Sequence, residues 1–152
     1  MTNSHTLIKI LSAALLACSA GLASAGGTQI LAVSATVPGT CKFSAASTPL
    51  AFGSIDPTST TAVTQTANVV YRCTKNTASL GITGTAGAHT MTSGTDTLAY
   101  TMSITGDTRP GTGFGAAGTD LTAVVTGTIA AADFQTAAAG TYTEDVTLTI
   151  TP

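Results

Sequence analysis

The chain has 152 residues, five basic and seven acidic, for a net charge of −2 and a charged fraction of 8%, against about 25% in an average soluble protein. One domain fills that length, and the absence of a basic cluster leaves no electrostatic footprint for nucleic acid. Low charge with 43% hydrophobic residues excludes a charge-driven disordered chain, and two histidines, His5 and His89, offer little to His-based catalysis or a multi-histidine metal site.

The first 25 residues read as a secretory signal peptide. Lys9 precedes the apolar run Ile10–Ala17, which is too short to span a bilayer, and Ala23-Ser24-Ala25 has the small-x-small form of a cleavage site. A competing lipobox reading, Leu15-Leu16-Ala17-Cys18, would place a lipidated cysteine at the new terminus and would cut the apolar run short. With cleavage after Ala25, Cys41 and Cys73 are the remaining cysteines of an exported chain. A single structural disulfide follows, closing a loop of about 33 residues worth roughly 3–4 kcal/mol.

Beyond that point the pattern has period two. Leu31, Val33, Ala35 and Val37 alternate with Ala32, Ser34 and Thr36 up to Pro38-Gly39, read as a turn. Ala67, Val69, Tyr71 and Cys73 share one face, as do Leu98, Tyr100, Met102 and Ile104. At the end Tyr142, Val146, Leu148 and Ile150 are interleaved mainly with threonine. Such segments are half-buried strands with threonine on the wet face. Shorter candidates are Pro49–Phe52, Ser79–Thr83 and Leu121–Ile129, and Ala130–Ala137 reads as a two-turn helix connecting two strands. Short strands separated by Asp56-Pro57, Thr92-Ser93-Gly94, Arg109-Pro110-Gly111 and Ala139-Gly140 predict a β-sandwich.

No motif carries chemistry. Gly113-Phe114-Gly115-Ala116-Ala117-Gly118 spells GxGxxG but is followed by the strand-like Leu121–Val125, whereas dinucleotide binding needs a helix there. It reads as a glycine-rich loop long enough to cross a sandwich. His89 reads as a lone surface histidine, Glu144-Asp145 as a solvated strand end, and the scattered Asp96, Asp107, Asp120 and Asp133 as turn formers bonding their own backbone. Neither an enzyme nor a cofactor is expected. What stands out is Gly26–Val37, uncharged except for a new amine and strongly β-forming. It can be an edge strand of its own domain or add itself to the sheet of a neighbour; as a free edge it lacks gatekeeping charges.

Several runs resemble the spore coat protein U domain family, which includes pilins of archaic chaperone–usher pili. They are Cys41-Lys42-Phe43-Ser44, Leu50–Asp56, Val70–Thr74, Leu98-Ala99-Tyr100, Gly127-Thr128-Ile129, Asp133-Phe134-Gln135 and Gly140–Ile150. The likeness covers essentially 26–152, with Phe114-Gly115 where many relatives carry Trp-Gly and a poor match over Gly84–Thr97. The resemblance implies an all-β, incomplete immunoglobulin-like sandwich, completed by donor-strand exchange. It implies a donor within 26–37, with Ile30, Leu31, Val33, Ala35 and Val37 as donor residues. The domain would then be 38–152, its groove lined by Tyr142, Val146, Leu148 and Ile150. It identifies Cys41–Cys73 with a disulfide near the start of the domain. The implied partners are copies of the chain or sibling pilins, a periplasmic chaperone and an outer-membrane usher. The implied role is a structural pilus subunit at the cell surface, serving adhesion and biofilm formation. The alternative is a secreted sandwich that does not polymerise, a coat or matrix component or a glycan-binding module.

Overall fold

A computed structural model describes residues 26–84, 86–115 and 119–152. The signal segment with Cys18, and Ala116-Ala117-Gly118 of the glycine-rich motif, lie outside the described residues. Residues up to Ala35 and residues from Thr36 onward form two units. In the first, Gly26–Ala35 is exposed and has no strand pairing.

The second unit is an all-β immunoglobulin-like domain. Its strands are β1 (Cys41–Phe43), β2 (Val63–Cys73), β3 (Gly81–Thr83), β4 (Gly87–Ser93), β5 (Asp96–Thr105), β6 (Leu121–Ile129) and β7 (Thr149–Thr151), with one short helix, α1 (Ala131–Gln135). Five strands form an antiparallel sheet in the order β1-β2-β6-β5-β4, and β3 pairs with β7 in a second sheet. The period-two faces explain the arrangement. In β6 every odd position, Leu121 to Ile129, is buried, and the even positions are half-exposed threonine and valine. Ala67, Val69, Tyr71 and Cys73 of β2 and Leu98, Tyr100 and Met102 of β5 turn to the same core. The Tyr71 hydroxyl, wholly buried, donates to the Gly106 carbonyl at 2.9 Å. Cys41 and Cys73 are register partners of β1 and β2 and are joined by the disulfide, with Cα atoms 4.1 Å apart. Buried Ser79 links the second sheet, accepting from the Gly81 N–H and donating to the Thr151 carbonyl.

Several expectations are corrected. The Pro38-Gly39 turn is absent: Gly39 is not in the left-handed region, and the chain runs into β1 without reversing. Pro49–Phe52 is not a strand, because nothing among the described residues pairs with its backbone, although Leu50 and Phe52 face the core. Of the expected last strand only Thr149–Thr151 pairs continuously, with an isolated bridge from Thr143 to Thr92. The connection from β5 to β6 starts and ends in one sheet, since the two strands are antiparallel neighbours. On the way it meets the other side of the domain, where Pro110 bridges Ala78 and Asp107 accepts from the Ile82 N–H at 3.0 Å.

Candidate acceptor groove

The core face of the large sheet is only partly roofed. Leu50 and Phe52 lie over Gly127, where a Cβ would be 2.8 Å from an atom of each ring or branch, so the roof reaches the sheet backbone only because β6 has glycine there. Beside them opens a groove of about 870 Å3. Its floor is Ala67, Val69, Tyr100, Met102 and Val125, from three adjacent strands. One rim is Phe43 and Ala45–Leu50, and the other is Tyr142–Leu148. A second cavity, about 650 Å3, lies between Leu50–Ile55 and Ala137–Tyr142 and shares Leu50, Phe52, Met91 and Tyr142 with the first.

Both rims carry free backbone. After the Ser44 N–H, which donates to the Val70 carbonyl, residues Ala45–Ile55 make no backbone–backbone hydrogen bond among the described residues. The same holds for Glu144–Leu148. That second rim is held at each end. Thr143 and Thr92 exchange two hydrogen bonds of 3.0 and 3.1 Å, and Thr149–Thr151 pairs with β3. Behind it Gly84, at φ 96°, has no side chain to strike the Thr147 carbonyl, which would lie 2.2 Å from a Cβ. Peptide groups normally find partners, so an apolar trough with unpaired peptide edges on both sides has the shape of a space for one more strand.

The groove is almost uncharged. Glu144 and Asp145 are its acidic lining residues. Both residues are exposed, as expected, but the Glu144 side chain is 26% exposed and accepts from His89 Nδ1 at 3.3 Å. His89, expected at the surface, is only 15% exposed at its side chain and lies 5.3 Å from the Tyr100 ring. Burial, with a hydrogen bond to Glu144, pushes the Tyr100 hydroxyl pKa up. Fifty-five residues separate His89 from Glu144, so the pairing leaves no trace in local sequence. The aspartates differ among themselves. Asp56 caps its own turn through the Thr58 N–H, whereas Asp120 reaches across to Arg72 and Ser44.

Of the expected groove residues, Tyr142, Val146 and Leu148 line the trough. Ile150 does not: it belongs to β7, opposite Ile82, and packs on the core. The expected donor residues Ile30, Leu31, Val33 and Val37 are 94, 84, 84 and 78% exposed, and Ala35 is exposed too. Sequence reasoning missed Leu50, Phe52, Ala67, Val69, Tyr100, Met102 and Val125 as groove residues. Their alternation marked them as core, and nothing in it says which part of a core lacks a cover. Among the described residues no three His, Cys, Asp or Glu side chains cluster as a metal site, and no helix is long and apolar enough to cross a membrane.

A comparison with curated proteins and with solved structures finds no match to this chain. Among families, the Spore Coat Protein U domain matches residues 27–149, a span containing both groove rims and the exposed segment that precedes the domain. The family is one of coat- and pilus-type subunits found outside the cell or at its surface. This chain belongs to the Spore Coat Protein U domain family.

Proposed function

We propose that this protein is a structural subunit of an extracellular pilus, polymerising by donation of residues 26–37 into the groove of the next copy or of a sibling subunit. The observation that carries the reading is the groove itself, apolar on its floor and unpaired along both rims. A strand laid between Ala45–Leu50 and Glu144–Leu148 would satisfy main-chain groups on two sides while alternate side chains fill the floor. The segment 26–37 has the complementary character: alternating, uncharged along its length, and exposed. Before assembly a periplasmic chaperone would cover the same groove, since an open edge of this kind aggregates, and an outer-membrane usher would pass the subunit outward. Export would use the signal segment 1–25, and the sandwich domain would span 38–152. Head-to-tail donation is a heterologous contact that does not close, so it yields an open filament, serving attachment and biofilm formation.

The test is electrophoresis of the oxidised protein from a periplasm, unheated against boiled, beside a deletion of 26–37. The expected result is a detergent-resistant ladder that collapses on boiling and is absent in the deletion. Normal fibres built by the deleted protein would overturn the proposal.

A further inference from the structure

A chain that carries both a strand and a groove faces a competition. A donor tethered to its own acceptor by a few residues sees an effective concentration of about 1 mM, far above that of a neighbouring subunit. Unless geometry forbids it, the chain should close on itself and never polymerise. The structure holds a device at the point where that decision is made.

To enter the groove of its own domain, the segment ending at Val37 has to reverse at Pro38–Thr40, because the groove rim begins at Phe43, the last residue of β1, and continues from it. The sequence Pro38-Gly39 is suited to a reversal, with glycine where a type II turn needs positive φ. The turn is not made. Instead Pro38–Thr40 lies along the end of β2 and is held there by Thr74. The Thr74 N–H donates to the Thr40 carbonyl at 2.9 Å, and the Thr40 N–H donates to Thr74 Oγ1 at 3.1 Å. The Thr74 hydroxyl donates to the Pro38 carbonyl at 3.2 Å, with the Thr40 carbonyl at 3.4 Å as its alternative. Gly39 packs against the Thr77 side chain, which would stand 3.2 Å from a Cβ.

The holder is itself rigid. Thr74–Thr77 is a turn closed by the Thr77 N–H to the Thr74 carbonyl, with Asn76 in the left-handed region at φ 62°. Gly111 backs it, exchanging bonds with Asn76 and Thr77, and the Cys41–Cys73 disulfide lies one residue away on each strand. A reversal would have to break the bonds that the Thr74 hydroxyl makes to the Thr40 N–H and the Pro38 carbonyl, and a proline cannot supply a replacement donor.

We infer that Thr74 clamps Pro38–Thr40 so that the preceding segment cannot fold back into the groove of its own molecule, and that this clamp directs donation to a second copy. The inference rests on the strand-donation reading and adds to it the reason that donation is intermolecular. Thr74 is a positioning residue: it acts on where the segment can go, not on how the segment binds.

The experiment uses the full mature chain at micromolar concentration, with the same unheated and boiled electrophoresis and a synthetic peptide of sequence 26–37. One variant inserts Gly-Ser-Gly-Ser between Val37 and Pro38, leaving every bond of Thr74 intact while giving the segment slack. A second is Thr74→Val, which keeps the shape and removes the hydroxyl, with Thr74→Ser as the conservative rescue. The insertion should move the protein from ladder to a compact monomer that unfolds only on boiling. The ladder-to-monomer ratio should fall about a hundredfold or more, the ratio of a millimolar tether to micromolar neighbours. Thr74→Val should move it the same way by less, and Thr74→Ser should restore the ladder. A ladder undiminished by the insertion overturns the clamp while leaving strand donation standing. A wild type that forms no ladder and does not take up the peptide overturns both.

Discussion

Removing the disulfide as the pair Cys41→Ala and Cys73→Ala tests how the domain holds its first strand. Both side chains are buried, at 8 and 0% exposure, so alanine leaves no polar atom unpaired. The cross-link spans a sequence separation of 32, for which the chain-entropy relation gives about 3.7 kcal/mol of lost stability. Whole domains have only about 5–15 kcal/mol, and this one leaves part of its core face unroofed. Loss of the bond should therefore consume a large share of what remains. The assay is urea unfolding of the mature protein followed by circular dichroism, wild type against double variant. With a slope of about 2 kcal/mol/M, the midpoint should fall by roughly 1.8 M. A midpoint shift below about 0.5 M would refute the reasoning: it would mean that β1 is held by its ladder to β2 and by the Thr74 contacts alone. The groove rim continues directly from β1, so the double variant should also take up the 26–37 peptide less well than its stability loss explains.

Four further outcomes are expected. Tyr71→Phe removes the buried bond to the Gly106 carbonyl and should cost about 1–2 kcal/mol in the same urea assay. Gly127→Val drives a branched side chain into the space of Leu50 and Phe52, with an overpacking cost of about 1–3 kcal/mol, and peptide uptake measured by fluorescence anisotropy should fall with it. Val33→Asp in the exposed segment should reduce the ladder more than about tenfold, because a carboxylate would enter an apolar trough, while Ser34→Asp on the opposite face of the segment should do much less. Arg72 and Ser44 beside Asp120 hold its carboxyl pKa below the usual range. Its contribution to stability is present above the ordinary carboxylate pKa and is lost as pH falls through the lowered folded value. Asp120→Asn should flatten that part of the acid limb of a thermal-melting profile.

Alternation in the sequence reports which way side chains face, and for β2, β5 and β6 this was enough because those strands pair on both edges. It was equally clear over Pro49–Phe52 and Tyr142–Ile150, where Leu50, Phe52, Val146 and Leu148 do turn to the core. Pro49–Phe52 and Glu144–Leu148 are nonetheless not ladders, because pairing belongs to the neighbour as much as to the segment, and among the described residues no strand pairs with them. The reverse error occurred at β4. Gly87-Ala88-His89-Thr90 has too little apolar contrast to announce a strand, yet the two-residue turn Gly94-Thr95 returns it alongside β5. β1 is only three residues long and shows no period of its own. Its place follows from the cysteine pair, which the sequence made visible for a different reason. The Pro38-Gly39 dipeptide misled because Thr74, more than thirty residues on, takes the hydrogen bonds that a turn would have used.

The absence of tryptophan gives the placement of the three tyrosines an optical meaning. Tyr71 is sealed in the core with its hydroxyl committed to a carbonyl, so its ultraviolet emission is a constant background in the folded state. Tyr100 lies on the groove floor against Phe52, and Tyr142 sits on the rim. Any occupant of the trough changes the surroundings of two of the molecule's three emitters. A single tryptophan placed in an incoming strand would receive energy from both, which makes the unlabelled protein its own reporter of whether the groove is filled.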